Sequence, residues 1–494
     1  MRRTLATALL MITCIVGRYS PAGAALPGSP AWKSARHIPS PLRGGITPGA
    51  GQPGGPPIKF THVFAPLQGR VTPYERPYRE EICLNGLWQF EPVALPKGYK
   101  IGSGPPKLPP AAPGGWSKTL IRIPSPWNVD SFSAGDGGDF DCFPSYPKSW
   151  NAAQMGWLKC RFKVPTSWKD KKIYLRFQAV AGDAQIIVNG RNLARHFDNF
   201  LPFEVDITHV VRFKRNNELL VGVRRADLFN INGPFRSRFT YPTGSFWGMH
   251  IVGIWQDVFL QARPALHVRN VFIQPQVGRN TLKLAVTVTN RTAQSQTFTL
   301  GAQVRLWKWL DDKNALTAPE SKWTLGKTVL HVTGPRCELA AGQTGIFRLK
   351  TLVHGRLALW TLRSPRLYGA LTTIHQGGRT VDRRYQRFGW RQWSIKGRSL
   401  LLNGRPVQLR GDAWHFMGVP EMTPRYAWAW FTMLPDAHCN AVRLHAEPYP
   451  TFFLNMADQM GIAVLDESGI WASQCGFNYD QPATWRRFKA ELRA

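Results

Sequence analysis

The chain has 494 residues, 43% of them hydrophobic, enough for about three domains of ~150 residues each. Its 63 Lys+Arg outnumber 30 Asp+Glu, for a net charge of +33. These bases lie singly or in pairs, as at Arg122, Arg161, Arg176, Arg224-Arg225 and Arg383-Arg384, with no long basic run and no zinc-ligand spacing, so they describe a solvated basic surface and argue against a nucleic-acid partner.

The chain opens MRRTLATALLMITCIVGRYSPAGAALPG. Two arginines, an apolar stretch from Leu5 to Val16 and the small residues Ala22-Gly23-Ala24 have the order of a secretory signal peptide. Residues 1–24 are therefore expected to be removed and the protein exported, to a periplasm or the extracellular space. The apolar stretch is too short to cross a bilayer, and no membrane span is expected elsewhere. Six cysteines follow, Cys83, Cys142, Cys160, Cys337, Cys439 and Cys475, none in a C-x-x-C pair, so spacing leaves any disulfide pairing open. Residues 25–57 read as a linker, because PSPLRGGITPGAGQPGGPP at 39–57 cannot bury apolar surface. A second such stretch, 95–115, reads as an exposed loop.

From about 80 to 263 short alternating segments recur: LNGLWQF (84–90), GWLKCRFKV (156–164), KIYLRFQAV (172–180), AQIIVNG (184–190), ELLVGV (218–223) and GIWQDVFLQA (253–262). In WLKCRFKV, Trp157, Lys159, Arg161 and Lys163 would take one face and Leu158, Cys160, Phe162 and Val164 the other. Asn189-Gly190 marks a tight hairpin. A β-sandwich of jelly-roll type is expected over 58–265. Strand-like VRNVFIQP (268–275), TLKLAVTVTN (281–290), GIFRLK (345–350) and ALTTIHQ (370–376) suit an immunoglobulin-like sandwich over 266–385.

The pattern then changes. PVQLRGD (406–412), NAVRLH (440–445) and IAVLDE (462–467) read as strands. Between and after them lie helical stretches: 425–438, capped by Thr423 and broken at Pro435; 449–461, with Phe452, Met456 and Met460 on one face and Gly461 as its stop; and 483–494. Strand and helix in alternation predict a parallel sheet with helical crossovers over 386–494.

LNGLWQF, IPSPW (123–127), VNG (188–190), HFDNFLPFEVDIT (196–208), GIWQDVFL (253–260), LWTLRSPRLY (359–368), FGWRQWS (388–394), LLNGRPVQLRGDAWH (401–415), NAVRLH and VLDESG (464–469) together resemble glycoside hydrolase family 2, the family of β-galactosidases, β-glucuronidases and β-mannosidases. The resemblance implies a sugar-binding jelly roll, an immunoglobulin-like domain and the N-terminal part of a (β/α)8 TIM barrel, acting on terminal β-linked sugars by a retaining mechanism. Such chemistry takes two carboxyl groups about 5–5.5 Å apart. The family's acid/base is a Glu after an Asn at the end of the fourth barrel strand. With three strands expected after Val407, neither catalytic Glu is expected among these residues. The only Asn-Glu, Asn217-Glu218, reads as a turn-to-strand junction.

The resemblance also points to substrate-binding residues. His415 would close the first barrel strand and Arg443 matches the family's NAVR arginine. Asp466 and Glu467 would stand at the rim of the third strand, pointing to opposite sides, so that only one faces the site. Trp471 would offer a stacking wall, and Asp198 matches a loop acid that β-galactosidases reach into the neighbouring pocket. His445 and Glu447, in LHAEPYP, depart from the family pattern. SGIWASQ lacks the β-galactosidase magnesium ligands, so no metal or other cofactor is expected. The partner expected is a β-glycoside or glycan. The rival reading is a carbohydrate-binding or structural module without turnover, and oligomeric state stays open.

Overall fold

A computed structural model describes residues 70–492, apart from Pro77, 101–102, 129–145, Asn230, 234–235, 239–250, 311–322, 415–423 and 470–481. The signal peptide and linker expected over 1–57, the Thr423 cap, and Cys142 and Cys475 lie outside the described residues.

The named strands of the first region pair antiparallel. Its strands are β1 (Glu80–Cys83), β2 (Gly86–Val93), β3 (Ile121–Ile123), β4 (Met155–Phe162), β5 (Lys172–Phe177), β6 (Asp183–Val188), β7 (Arg191–Phe197), β8 (Phe203–Asp206), β9 (Asn217–Arg224) and β10 (Val258–Arg263). They form a four-stranded sheet, β1-β10-β5-β8, and a six-stranded sheet, β3-β2-β4-β9-β6-β7. Alternate residues of both sheets, among them Phe90, Leu158, Leu175, Phe177, Leu219, Val221 and Leu260, fill one core. Buried indoles there keep their N–H satisfied: Trp88 Nε1 donates to Leu84 O at 2.8 Å and Trp127 Nε1 to Ala153 O at 3.0 Å. Trp127 also explains the GIW motif. Gly253 has φ +111, and a Cβ there would meet the Trp127 ring at 2.8 Å. The segment expected as one strand over 253–262 therefore divides, with Gly253–Ile254 pairing apart from β10.

The described residues of 95–115 form an irregular, mostly exposed loop as expected, and the loop is anchored. It straps the outer face of the six-stranded sheet, where Trp157 of β4 is only 2% exposed. Trp157 Nε1 donates to Pro109 O at 2.8 Å, Arg224 Nη1 to Pro106 O at 2.5 Å, and Ala112 N to Glu91 Oε1 at 3.0 Å. Leu95, Tyr99, Leu108 and Trp116 pack beside them. Proline removes a donor but leaves its carbonyl as an acceptor. Trp157 therefore does not share the open face its alternation with Lys159 and Arg161 suggested; the strap covers it.

The second region has β11 (Leu266–Gln276), β12 (Thr281–Asn290), β13 (Gln296–Trp309), β14 (Trp323–Leu339), β15 (Thr344–Leu352), β16 (Leu367–Gln376) and β17 (Arg379–Gly389). Sheets β11-β12-β15 and β14-β13-β16-β17 enclose Leu284, Val286, Val288, Phe298, Leu300, Val304, Leu349 and Ile374. A buried ion pair joins the two regions. Arg79, just before β1, donates to both oxygens of Asp382 on β17 at 3.0 and 2.7 Å, and Asp382 Oδ2 also accepts Val268 N at 2.7 Å. Their side chains are 2% and 0% exposed. Burial opposes the Arg79 charge, and Asp382 outweighs it and holds the guanidinium protonated.

The third region is a parallel sheet, β18 (Gly411–Trp414), β19 (Ala441–Leu444) and β20 (Ala463–Asp466), with helices α1 (Pro424–Asp436), α2 (Thr451–Met460) and α3 (Pro482–Glu491). Trp414, Trp428, Phe431, Val442, Leu444, Phe453 and Met456 share a core with Ile251 and Trp255 of the first region. Three local expectations change. Of PVQLRGD only Gly411 and Asp412 belong to β18; Asn440 instead clamps the backbone before it, accepting Arg410 N at 2.8 Å and donating to Gln408 O at 3.0 Å. The buried face of α2 is Phe453, Met456 and Ala457, while Phe452 and Met460 are half-buried flanks. Helix α1 continues through Pro435 to Asp436, so the proline sits in its last turn rather than breaking it. Gly461 caps α2 at φ +76 as expected, and a Cβ there would also meet Leu362 O at 2.3 Å.

Candidate functional site

The C-terminal ends of the parallel strands set the geometry. Val442 and Leu444 are fully buried, so strand alternation turns Arg443 the other way. Arg443 Nε donates to Glu467 Oε1 at 2.6 Å, and Glu467 Oε2 accepts Ala446 N at 2.7 Å. Ala446 has φ +60, a left-handed backbone that a non-glycine residue adopts only under constraint. Glu467 thus ties two strand ends together and holds the strained residue between them. Trp414 O, at the end of β18, accepts His445 N at 3.1 Å and Tyr449 Oη at 2.8 Å. Glu447 is 1% exposed and is part of this packing rather than of an open surface.

Asp466 ends β20, in register with Leu444. Its surface remains open to solvent, yet neighbouring atoms crowd the carboxyl. Burial, and then the adjacent Glu467 charge, push it up from 3.8 to about 6. β20 stops at Asp466 and Glu467 lies beyond it, so strict strand alternation does not apply. Both acids border one cleft, where the sequence placed only one. They differ in bonding: Glu467 has both oxygens occupied by protein donors.

That cleft encloses about 680 Å³, within the ordinary range for small-ligand sites. Gln178, Phe200, Leu201 and Asp257 line it from the first region, Trp323, Tyr385 and Arg387 from the second, and Tyr449, Asn455, Gln459, Asp466 and Glu467 from the third. Arg443 reaches it only through Glu467. Asp198 is not among the lining residues. Its Oδ1 accepts Phe200 N at 2.7 Å and Leu201 N at 2.8 Å, which shapes the turn that brings those two residues to the cleft. His415 and Trp471 lie outside the described residues. Asn217 opens β9, bonded through Oδ1 to Arg212 N at 2.7 Å and to Asn189 Nδ2 at 2.8 Å, a pair of turns clamped by two amides. The sequence reading missed Arg70, Gln178, Trp323, Tyr385 and Arg387, because their meeting depends on how three regions pack and no local motif carries it.

Two family profiles match. The one for "Glycosyl hydrolases family 2, sugar binding domain" covers residues 82–264 and that for "Glycosyl hydrolases family 2" covers 266–391. Among curated relatives, a β-galactosidase of Streptococcus thermophilus is 24% identical over 366 residues, 74% of this chain and 31% of the relative. A β-glucuronidase of Formosa agariphila is 24% identical over 386 residues, 75% of this chain and 37% of the relative. Among solved structures, a Bacteroides uniformis β-glucuronidase superposes with a TM-score of 0.60 at 24% identity, over 84% of this chain and 45% of that one. A Ruminococcus gnavus β-glucuronidase in complex with D-glucuronic acid superposes with a TM-score of 0.57 at 20% identity, over 86% and 64%.

The chain is thus a mostly β, multidomain polypeptide of the glycosidase kind, with its β regions in the order of the family's N-terminal domains. It belongs to glycoside hydrolase family 2. It spans about a third of the curated relatives it matches.

Proposed function

We propose that this polypeptide is the sugar-recognising part of an exported glycosidase that hydrolyses terminal β-linked sugars by the retaining, two-carboxylate route. In this reading 58–265 is a jelly roll, 266–385 an immunoglobulin-like sandwich, and 386–494 the first β/α units of a (β/α)8 barrel, whose sites form at the C-terminal strand ends. The observation that carries the reading is the cleft itself. It lies at the ends of parallel strands, and Asp466 and Glu467 border it beside the ring of Tyr449.

Asp466 is the acid available to a sugar hydroxyl. Glu467 is a positioning residue, with Arg443 and Ala446 N as its partners. A retaining pair must present two carboxyl groups to one bond. Glu467 fits that role poorly while both its oxygens are engaged. Asp198 is assigned to the turn carrying Phe200.

The test measures binding and turnover separately. The 494-residue chain is titrated with neutral and acidic oligosaccharides and assayed on a panel of aryl β-glycosides. Saccharide binding that Asp466→Asn weakens supports the reading. Turnover abolished in a double Asp466→Asn, Glu467→Gln variant would overturn the assignment of these acids to recognition, and the absence of any saccharide binding would overturn the site.

A further inference from the structure

One face of the second region stands open to solvent, and its chemistry is one-sided. Sheet β11-β12-β15 turns Leu284, Val286 and Leu349 into the core, so strand alternation turns the residues between them outward. Register fixes how those residues meet across the sheet. Phe272, Ala285 and Arg348 stand in one row, Gln274, Lys283 and Lys350 in the row on one side of it, and Asn270, Thr287 and Ile346 in the row on the other. The middle strand thus presents the short side chains of Ala285 and Thr287 between longer ones on both flanks. The face is a shallow trough along β12, about 10 Å wide because it spans two strand spacings, with its rows about 7 Å apart. Phe272 and Ile346 are each 58% exposed, and Arg348 and Lys350 are exposed beside them. None of the three strands contains an aspartate or a glutamate. The acid-free stretch around β11 and β12 runs from 264 to 310 and carries six Lys and Arg, so no carboxylate of this sheet neutralises Lys283, Arg348 and Lys350. Bare apolar side chains together with uncompensated charge mark a surface that meets a partner.

We propose that this trough is a retention surface for a polyanionic polysaccharide, whose chain lies along β12. The apolar faces of its sugar rings rest on Phe272 and Ile346, and its anionic groups, carboxylate or sulfate, meet Lys283, Arg348 and Lys350. The amides of Asn270 and Gln274 offer both donors and acceptors, which is what sugar hydroxyls require. Three rival occupants fit less well. The backbone of β12 is already paired on both sides, by β11 and β15, so an extended peptide could not add to this face as a strand. A second copy of the chain would set like charges against each other. A nucleic-acid duplex is wider than the trough. None of these residues lines the cleft at the strand ends, so the surface stands whatever that cleft takes. It would hold the protein on a charged glycan rather than select the bond to be cut.

The test is affinity electrophoresis of the full 494-residue chain, at physiological salt, through gels holding polygalacturonate, a sulfated galactan or a neutral galactan. The same gels are run with an Arg348→Gln, Lys350→Gln double variant, with Phe272→Gln, and with Ala285→Leu, which raises the floor of the trough without changing charge. A Lys163→Gln, Lys169→Gln double variant removes the same charge from exposed positions of the first region. At least one anionic polymer is expected to bind about tenfold tighter than the neutral one, the tighter of the two naming the carboxylate or the sulfate as the source. The Arg348, Lys350 variant should weaken that binding about tenfold, Phe272→Gln and Ala285→Leu about threefold each, and the first-region variant less than about twofold. Equal binding of anionic and neutral polymers would overturn the proposal. So would a loss in the first-region variant as large as that in the Arg348, Lys350 variant, since net charge alone would then explain the retention. Displacement by polyglutamate or a short DNA duplex as readily as by free anionic polysaccharide would overturn the assignment to a glycan. Unchanged binding in Ala285→Leu would overturn the trough. Should Ala285→Leu fail to fold, as read by circular dichroism, the exposed Arg348, Lys350 and Phe272 variants still decide the matter, because unchanged binding in either defeats the proposal.

Discussion

Two arginine–carboxylate pairs divide the labour in this molecule. Arg79–Asp382 is sealed between the β regions, its side chains 2% and 0% exposed. Arg443–Glu467 stands at the ends of the parallel strands, its side chains 46% and 32% exposed. The chemistry is the same and the consequences differ. Removing one partner of the sealed pair strands a charge away from water, whereas solvent takes over for the open pair. The sealed pair sets how the regions meet, and the open pair sets the shape of one strand end.

The largest expected effect breaks that contrast at its strong side. Asp382→Ala should destabilise the chain by roughly 3–5 kcal/mol, because Arg79 and the Val268 N–H lose their acceptor together. Thermal unfolding followed by near-ultraviolet dichroism measures it, and a loss as small as that of Glu467→Ala would erase the distinction. Next comes the strap. Trp157→Ala should cost about 3 kcal/mol and free residues 95–115 to proteases, seen as a new nick in limited digestion. An unnicked variant would mean the strap holds without its indole.

Glu467→Ala should cost under about 1 kcal/mol, discounted for the solvent around both side chains. Its larger signature is local, as faster amide exchange at Ala446. Unchanged exchange there would show that Glu467 does not brace the strand end.

The pH effects differ in sign between the two regions. His267, beside the sealed pair, is pushed down to about 3 by burial and by Arg79 and Arg263. A depressed histidine is protonated in the unfolded chain first, so its region should lose stability as pH falls from about 6.5 toward 3. Asp466 is raised to about 6 from an ordinary 3.8. Its ionisation opposes folding, so stability should decline as pH rises from about 4 through 6. The difference in melting temperature between Asp466→Asn and the parent should open over that window and level off above it. A difference that does not vary with pH would discard the proposed cause.

Part of the candidate site was legible in local sequence. Arg443, Asp466 and Glu467 follow apolar runs that could only be buried strands, and period-two and helical patterns marked the elements around them. Asp198 was legible as special, and what the sequence did not show is that its Oδ1 accepts two backbone N–H groups within three residues and shapes the turn to Phe200. The 95–115 loop was legible from its Pro and Gly content, but its anchoring to Trp157 and Arg224 was not, since composition reports donors lost and says little of carbonyls that remain.

The sequence by itself determined the order of the β regions, the change to alternating strands and helices in the C-terminal region, and the family, because these rest on periodicities and motifs that short segments carry alone. Only the tertiary structure decided that Arg79 meets Asp382, that Trp157 is roofed, and that Arg70 and Gln178 face the same cleft as Asp466. Those facts depend on side chains separated by hundreds of residues, as in the 303 between Arg79 and Asp382. Their energies come from burial, which no residue possesses until the chain has folded around it.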